Sequence, residues 1–376
     1  MDSFLSSLDS EIAMSAEIGR ETEFDTIFFG GGTPSLLKPD QLERIFERLY
    51  ATYRITPDAE ITVETNPGTT NKTKLVAYRK LGVNRLSIGI QSFHDDDLRF
   101  LTRIHSSVQA EECVRQAQEV GIENISIDLI FSLPHQTLER WQSNIRRAVA
   151  LGTQHISAYS LIVEPNTPLA RMVAAKQVTP LPEDEDADLY EWTMKALSDA
   201  GFEHYEVSNY ACKGFRSRHN RSYWNHSNYI GFGPSAHSFW SEPPISPATI
   251  VTGPQWKARR WWNIANLNSY IDKIQNGLLP IAGSEQLTEE QLSEEIIMLG
   301  LRSDGLNLTL MKSLFGLDVL SDPLFRIENL ILEGLAVLKE NKLTLTDRGY
   351  QLCDEISQNI AQDVIRKFER EATFAS

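Results

Sequence analysis

Asp25 to Pro34 reads D-T-I-F-F-G-G-G-T-P: a β-prone apolar run, Thr26 to Phe29, that stops on three glycines. Isoleucine, phenylalanine and threonine fit a pleated, covered surface, so the run predicts a buried strand. Gly30, Gly31 and Gly32 then let the backbone turn sharply and bring bare N–H and C=O groups against a ligand, because no Cβ intervenes. The stretch therefore predicts a strand whose carboxyl end opens onto a small-molecule site.

Outward from it, strand and helix signals alternate. Upstream, Met1 to Ile18 places Leu5, Leu8 and Ile12 at helical spacing. Downstream come a helix over Pro39 to Tyr53, a strand over Ile61 to Thr65, a helix carrying Leu75, Tyr78 and Leu81, and the strand Arg85 to Ile90. A helical stretch holding Leu98, Leu101 and Ile104, a second over Val108 to Val120, the strand Ile125 to Phe131, a helix with Leu138, Trp141, Ile145 and Val149, and the strand His155 to Leu161 follow. The acidic Glu183 to Asp188 opens a helix with Leu189, Trp192 and Leu197, where negative charge suits the N-terminal dipole, and Glu203 to Val207 is a weaker sixth strand. Alternation at these lengths predicts an α/β fold of parallel strands with helical crossovers, a barrel or a doubly wound sheet.

Past that region the pattern changes. Gly231 to Ile250 reads as loop, and the basic cluster K-A-R-R, Lys257 to Arg260, as a solvated loop. Trp256 to Gly277, with Trp261, Trp262 and the helical set Leu267, Tyr270, Ile271 and Ile274, is expected to pack across the barrel. Thr288 and Gln291 have capping-box spacing before an apolar helix with Ile296, Ile297 and Leu299. Helices over Leu310 to Phe315 and Leu324 to Leu338, a strand over Lys342 to Thr346 and a helix over Asp347 to Asn359 complete a small, mostly helical, winged-helix-like module. The expected domains are 1–230, 231–283 and 284–376.

With 376 residues the chain can bury a sizeable core. A formal charge of −15 argues against broad contact with nucleic acid. No apolar run approaches a membrane span and Met1 to Arg20 lacks signal-peptide order, so the expected setting is the cytoplasm, without integral membrane insertion and with peripheral contact left open. Cys113, Cys212 and Cys353 form no local metal pattern, and Cys113 falls on an apolar helical face with Ala110, Val114 and Ala117.

Polar residues gather at the expected carboxyl ends of the strands, where a barrel builds its site. Their types suit an amino acid joined to a nucleoside: Glu64 can accept from an ammonium, Arg103 can fork onto a carboxylate, and Asp128 can accept from two ribose hydroxyls. F-F-G-G-G-T-P-S-L-L, E-T-N-P-G-T, R-L-S-I-G-I-Q-S-F, I-S-I-D-L-I-F-S-L-P and S-A-Y-S-L-I-V-E-P-N-T-P-L, in that order, resemble the radical S-adenosylmethionine (SAM) proteins related to oxygen-independent coproporphyrinogen III oxidase. The resemblance covers nearly the whole chain and implies a partial (β/α)6 barrel plus the family's C-terminal domain. It implies S-adenosylmethionine as cofactor, with Gly31, Gly32 and Thr33 on its methionine part and Glu64, Gln91, Arg103 and Asp128 at the remaining binding positions.

Arg218 to Trp224, R-H-N-R-S-Y-W, resembles the H-N-x-x-Y-W signature of the heme chaperone branch of that family. His219 supplies an imidazole able to ligate heme iron, beside Asn220 and the flat faces of Tyr223 and Trp224. His226 and His237 are expected to be structural. Heme is thus the implied partner, for delivery to a haemoprotein that the sequence does not name. Oxidative decarboxylation of coproporphyrinogen III, or catalytically silent tetrapyrrole binding, are the alternatives.

The sequence departs from the family at one place. Members carry C-x-x-x-C-x-x-C after a first barrel strand to hold a [4Fe–4S] cluster, and no such motif occurs here. The chain starts on the helix that would follow, so the first strand and cluster loop are expected upstream of Met1, and the run Thr26 to Phe29 is expected at a sheet edge. A chain extended upstream by that strand and loop should be more soluble than the 376-residue chain expressed alone. Equal solubility of the two would count against this expectation.

Overall fold

A computed structural model describes residues 1–245 and 257–375. They divide into two compact units, Phe24–Glu43 with Ile55–Ser217, and Met1–Glu23 with Arg44–Arg54 and Arg218–Ser376. The elements up to Ser217 run α1 (Asp2–Met14), β1 (Glu23–Phe29), α2 (Pro39–Thr52), β2 (Arg54–Thr65), α3 (Lys72–Lys80), β3 (Arg85–Gln91), α4 (Asp95–Phe100), α5 (Ser107–Glu119), β4 (Asn124–Phe131), α6 (Leu138–Ala150), β5 (His155–Ser160), α7 (Pro168–Ala174), α8 (Glu183–Asp199), β6 (Glu203–Glu206) and β7 (Asn209–Ala211).

The first seven strands make one curled half-barrel sheet in the order β1-β2-β3-β4-β5-β7-β6. β2 to β5 pair in parallel with little slippage. Side chains alternate across a strand, so one face collects Ile61, Val63, Leu86, Ile88, Ile90, Ile125, Ile127, Leu129, Ile156 and Ala158, all buried. The crossover helices bring buried residues of their own: Leu75 and Tyr78 of α3, Val114 and Ala117 of α5, Ile145 and Ala148 of α6, and Leu197 of α8. Trp141 of α6 is fully buried against Phe131, with its indole N–H donating to Thr193 Oγ1 of α8 at 2.7 Å. Local signals set the helix starts: Ser106 and Gln109 close a capping box on α5, and Thr137 Oγ1 accepts from Arg140 N at α6.

The expected α/β half-barrel is present, and several expectations need correction. The sixth strand does not follow β5 in parallel. The three-residue β7, too short to show a pattern, pairs antiparallel with β5 and carries β6 outside it. Ile104 lies beyond α4 and is 82 % exposed.

In the other unit the elements continue as α9 (Arg218–Trp224), β8 (His237–Glu242), β9 (Lys257–Asn263), α10 (Leu267–Gln275), β10 (Ile281–Gln286), α11 (Glu289–Leu301), β11 (Leu306–Asn307), α12 (Leu308–Phe315), α13 (Ile327–Leu332), β12 (Ala336–Lys339), β13 (Lys342–Leu345), α14 (Asp347–Gln351) and α15 (Cys353–Ala375). Two antiparallel three-stranded sheets form, β10-β9-β8 and β11-β13-β12. K-A-R-R is therefore strand rather than loop: β9 pairs antiparallel with β8 and β10, and Ala258 and Trp261 are buried on its opposite faces. β8 likewise occupies part of the expected loop Gly231 to Ile250; its residues 246–250, and Trp256, lie outside the described residues. The helix expected over Leu324 to Leu338 breaks at Gly334, whose φ of 70° favours glycine, and continues as β12.

α1 belongs to this second unit and supplies its most distant link. Glu11, buried, accepts from Tyr270 Oη at 2.5 Å, Asn263 Nδ2 at 2.6 Å and Gly233 N at 2.8 Å. Arg48 of α2 forks onto Asp9 of α1 at 2.8 and 3.0 Å. Glu11→Ala strands three buried donors and should cost about 3 kcal/mol in urea unfolding. Asp9→Ala, at a half-exposed pair, should cost about 1 kcal/mol or less.

Candidate functional site

The face of the half-barrel opposite the apolar one is polar. Register sets Glu64 beside Ser87, Ser87 beside Ser126, Ser126 beside His155, and Asp128 beside Ser157. Parallel partners point the same way, so these side chains share one face. Ser87 Oγ donates to both oxygens of Asp128, at 3.2 and 3.1 Å. Burial pushes the Asp128 carboxyl above its ordinary range against the pull of Ser157, Ser87, Arg85 and Ser126. Glu64 is pushed up to about 7, first by burial and then by the charge of Asp128, while the Gly31 N–H works in the opposite direction.

The glycine turn stands at the end of β1. Gly31 N donates to Glu64 Oε2 at 3.2 Å, and Gly31 takes a φ of 97°. A Cβ on Gly30 would collide with the Phe28 ring, whereas none on Gly31 or Gly32 would meet an atom within 4 Å. Thr33 Oγ1 donates to Gly32 O at 2.7 Å and receives Asn66 Nδ2 at 3.5 Å. Ser35 and Thr69 share a hydroxyl contact of 2.6 Å, and Lys74 Nζ donates to Ser35 O, so the loops after β1 and β2 are tied together.

Gln91 ends β3 at a register shift, buried and with a left-handed φ of 70°. Gly89 leaves room there: its Cβ would come within 2.8 Å of Gln91 Nε2 and 3.3 Å of Asn66 Oδ1. Arg103 follows in a loop whose His105 hydrogen-bonds Ile90 O at 3.1 Å. Buried Arg103 Nε has no hydrogen-bond partner. Among the described residues, then, Gly31 bonds Glu64 directly and Asp128 acts on Glu64 through its charge, while Gln91 and Arg103 make no hydrogen bond to either acid. Sequence reasoning missed Arg85, Ser87, Ser157, Asn66 and Lys74. A signal for the first three was present, since polar residues alternate with apolar ones along each strand.

In the other unit, α9 carries the R-H-N-R-S-Y-W segment, half-exposed. His219 Nε2 lies 3.1 Å from Tyr223 Oη with the rings edge to face at 5.1 Å. Tyr223, 41 % exposed, meets Tyr229 at 4.7 Å, and Tyr229 stacks on Phe239 at 6.5 Å. Arg221 pairs with Asp304 at 2.8 Å. His226 is buried, bonded to Glu295 at 2.9 Å and edge-on to Phe239; His237 is exposed and stacks on Trp262.

Cys113 and Cys353 are buried, with thiols pushed up by burial, and Cys212 is half-buried. Among the described residues no group of three or more His, Cys, Asp or Glu gathers to hold a metal ion. Nor is any helix there long and apolar enough to cross a membrane.

Against solved structures, the fold matches coproporphyrinogen III oxidase (HemN) from Escherichia coli, described as a radical SAM enzyme, with a TM-score of 0.76 over 96 % of this chain and 83 % of that one at 21 % identity. Residues 6–148 match the radical SAM superfamily and residues 287–352 the HemN C-terminal domain. The fold is thus that of a radical SAM protein. In sequence, the chain is 33 % identical over 360 residues to the heme chaperone HemW of Bacillus subtilis (strain 168), covering 95 % of this chain and 90 % of that protein. To heme chaperone HemW of Escherichia coli (strain K12) it is 39 % identical over 234 residues, 62 % of this chain and 60 % of that one. The chain belongs to the HemW family of radical SAM proteins.

Glu64 sets a pH dependence with a definite sign. Between its ordinary value of 4.5 and about 7, folded Glu64 holds a proton that the unfolded chain releases. Its contribution to stability is present below that window and is lost as pH rises through it. Between about pH 5 and about pH 8 the Tm of the wild type should therefore fall further than that of Glu64→Gln.

Proposed function

We propose that this chain is a cytoplasmic heme chaperone: it takes up heme at the α9 segment and passes it to a recipient haemoprotein. Heme is cargo here, not a resident group. The observation that carries the reading is the half-exposed helix α9, which sets the His219 imidazole edge-on to the Tyr223 phenol and carries Trp224 next in the chain. It is supported by similarity along nearly the whole chain to the heme chaperone HemW of Bacillus subtilis. His219 is the iron ligand and Asn220, Tyr223 and Trp224 line the porphyrin. Because His219 Nε2 is engaged by Tyr223 Oη, ligation through that nitrogen must displace the phenol.

S-adenosylmethionine is the proposed cofactor of the half-barrel, and two observations fit it. Gly31 and Gly32 expose bare backbone to open space at the end of β1, with Gly31 at a positive φ that favours glycine, and a buried Arg103 nitrogen lacks a partner. Gly31, Gly32 and Thr33 would bind its methionine part, Arg103 its carboxylate, Glu64 its ammonium, and Asp128 its ribose hydroxyls, with Gln91 completing the set. When bound, the cofactor supplies one-electron chemistry to the family. The [4Fe–4S] cluster is a different case: the three cysteines present do not fit its C-x-x-x-C-x-x-C ligation, and no step is derived through it.

Hemin titration followed by the Soret band tests the heme reading. His219→Ala should lose most of the affinity, while Tyr223→Phe, which keeps the ring and removes the competing hydroxyl, should hold or gain up to about fivefold. An unchanged spectrum and affinity in His219→Ala would overturn the assignment.

A further inference from the structure

Beneath the acids of the half-barrel lies a cation that the family comparison does not assign. Arg85 of β3 is 2 % exposed. The acid paired with it is Glu60, with Nε to Oε2 at 4.0 Å, and Arg85 Nε makes no hydrogen bond. A guanidinium buried at that distance from its counter-ion pays desolvation without close pairing, so its charge must act on other groups. Register sets it on the polar face two residues before Ser87, whose hydroxyl holds Asp128. The neighbouring base adds no second cation: fully buried His155 is held between Ser126 Oγ and Tyr205 Oη, both at 2.7 Å, and burial keeps it neutral.

We propose that Arg85, with Ser87 and Ser157, is a positioning set that keeps the Asp128 carboxylate ionised and aimed, so that it can accept both hydroxyls of a bound ribose. The inference rests on the cofactor reading above and adds the residues that make Asp128 competent. Asp128 is buried among groups that oppose its charge. Glu64 and Glu60 stand on β2, Tyr159 on β5 and Tyr205 and Glu206 on β6; Glu64 and Tyr159 interact with Asp128 directly. Burial favours the protonated acid, and in that form one oxygen donates where the ribose needs an acceptor. Arg85 does not touch the ligand; it acts through Asp128.

The test uses S-adenosylhomocysteine as probe, with calorimetric affinity measured from about pH 6 to about pH 8.5, in a Glu64→Gln background that removes the acid coupled to Asp128. The expected result is that Arg85→Met moves the pH of half-maximal affinity up by about one unit, that Arg85→Lys stays near the parent, and that Asp128→Asn binds weakly without pH dependence. A purely structural role for Arg85 would weaken binding equally at every pH and leave the midpoint in place, and that result overturns the inference. Should Arg85→Met not fold, a carbon-13 titration of the Asp128 carboxyl in ligand-free parent and Ser87→Ala decides: an upward shift supports the set, an unmoved midpoint overturns it. No binding of the probe by the wild-type chain would overturn the cofactor reading together with this inference. Binding lost in Asp128→Asn, with the midpoint unmoved in Arg85→Met, overturns this inference alone.

Discussion

Strand register in the parallel half-barrel is the constraint on which the site depends. Hydrogen bonding of β2 to β5 leaves each strand no freedom to turn by one residue, because a slip would drive Ile88, Ile127 and Ile156 into the polar interior and Ser87, Asp128 and Ser157 against the helices. The apolar face thus does two things at once: it supplies core burial and it aims the acids. Once aimed, both acids are pushed up by burial and Asp128 raises Glu64 further by its charge; the Gly31 N–H offsets this at Glu64, and three serine hydroxyls offset it at Asp128.

Much of this was readable in the chain itself. Apolar runs such as Ile125 to Phe131 and Arg85 to Ile90 announce strands because every second residue must enter a covered face, and the structure extends them by only a residue or so. What escaped reading lacked length or contrast. β7 has three residues, β8 is short and rich in serine, and β9 sets its buried Ala258, Trp261 and Asn263 among three charges without a regular alternation. The break at Gly334 was invisible because apolar residues continue on both sides of it and only the backbone sign changes.

The acids at strand ends were legible because a carboxylate among branched apolar residues is costly and conspicuous. The hydroxyls and the guanidinium that govern them were not, since serine is common and Arg85 sits at a strand start, where an arginine ordinarily reads as solvated. Long-range links were beyond reach altogether. Glu11 closes contacts with Gly233, Asn263 and Tyr270, residues hundreds of positions away, and no local pattern in α1 announces an acid facing inward. His226, by contrast, was expected to be structural, and its place between Glu295 and Phe239 is that of a packed side chain.

The reversal of direction at β7 has its own outcome. β6 and β7 are joined through Val207 and Ser208 alone, in place of a helical crossover. Because β6 runs antiparallel to β7, it points again the way β5 does, so a hairpin whose outer strand keeps the direction of the parallel set finishes that flank of the sheet.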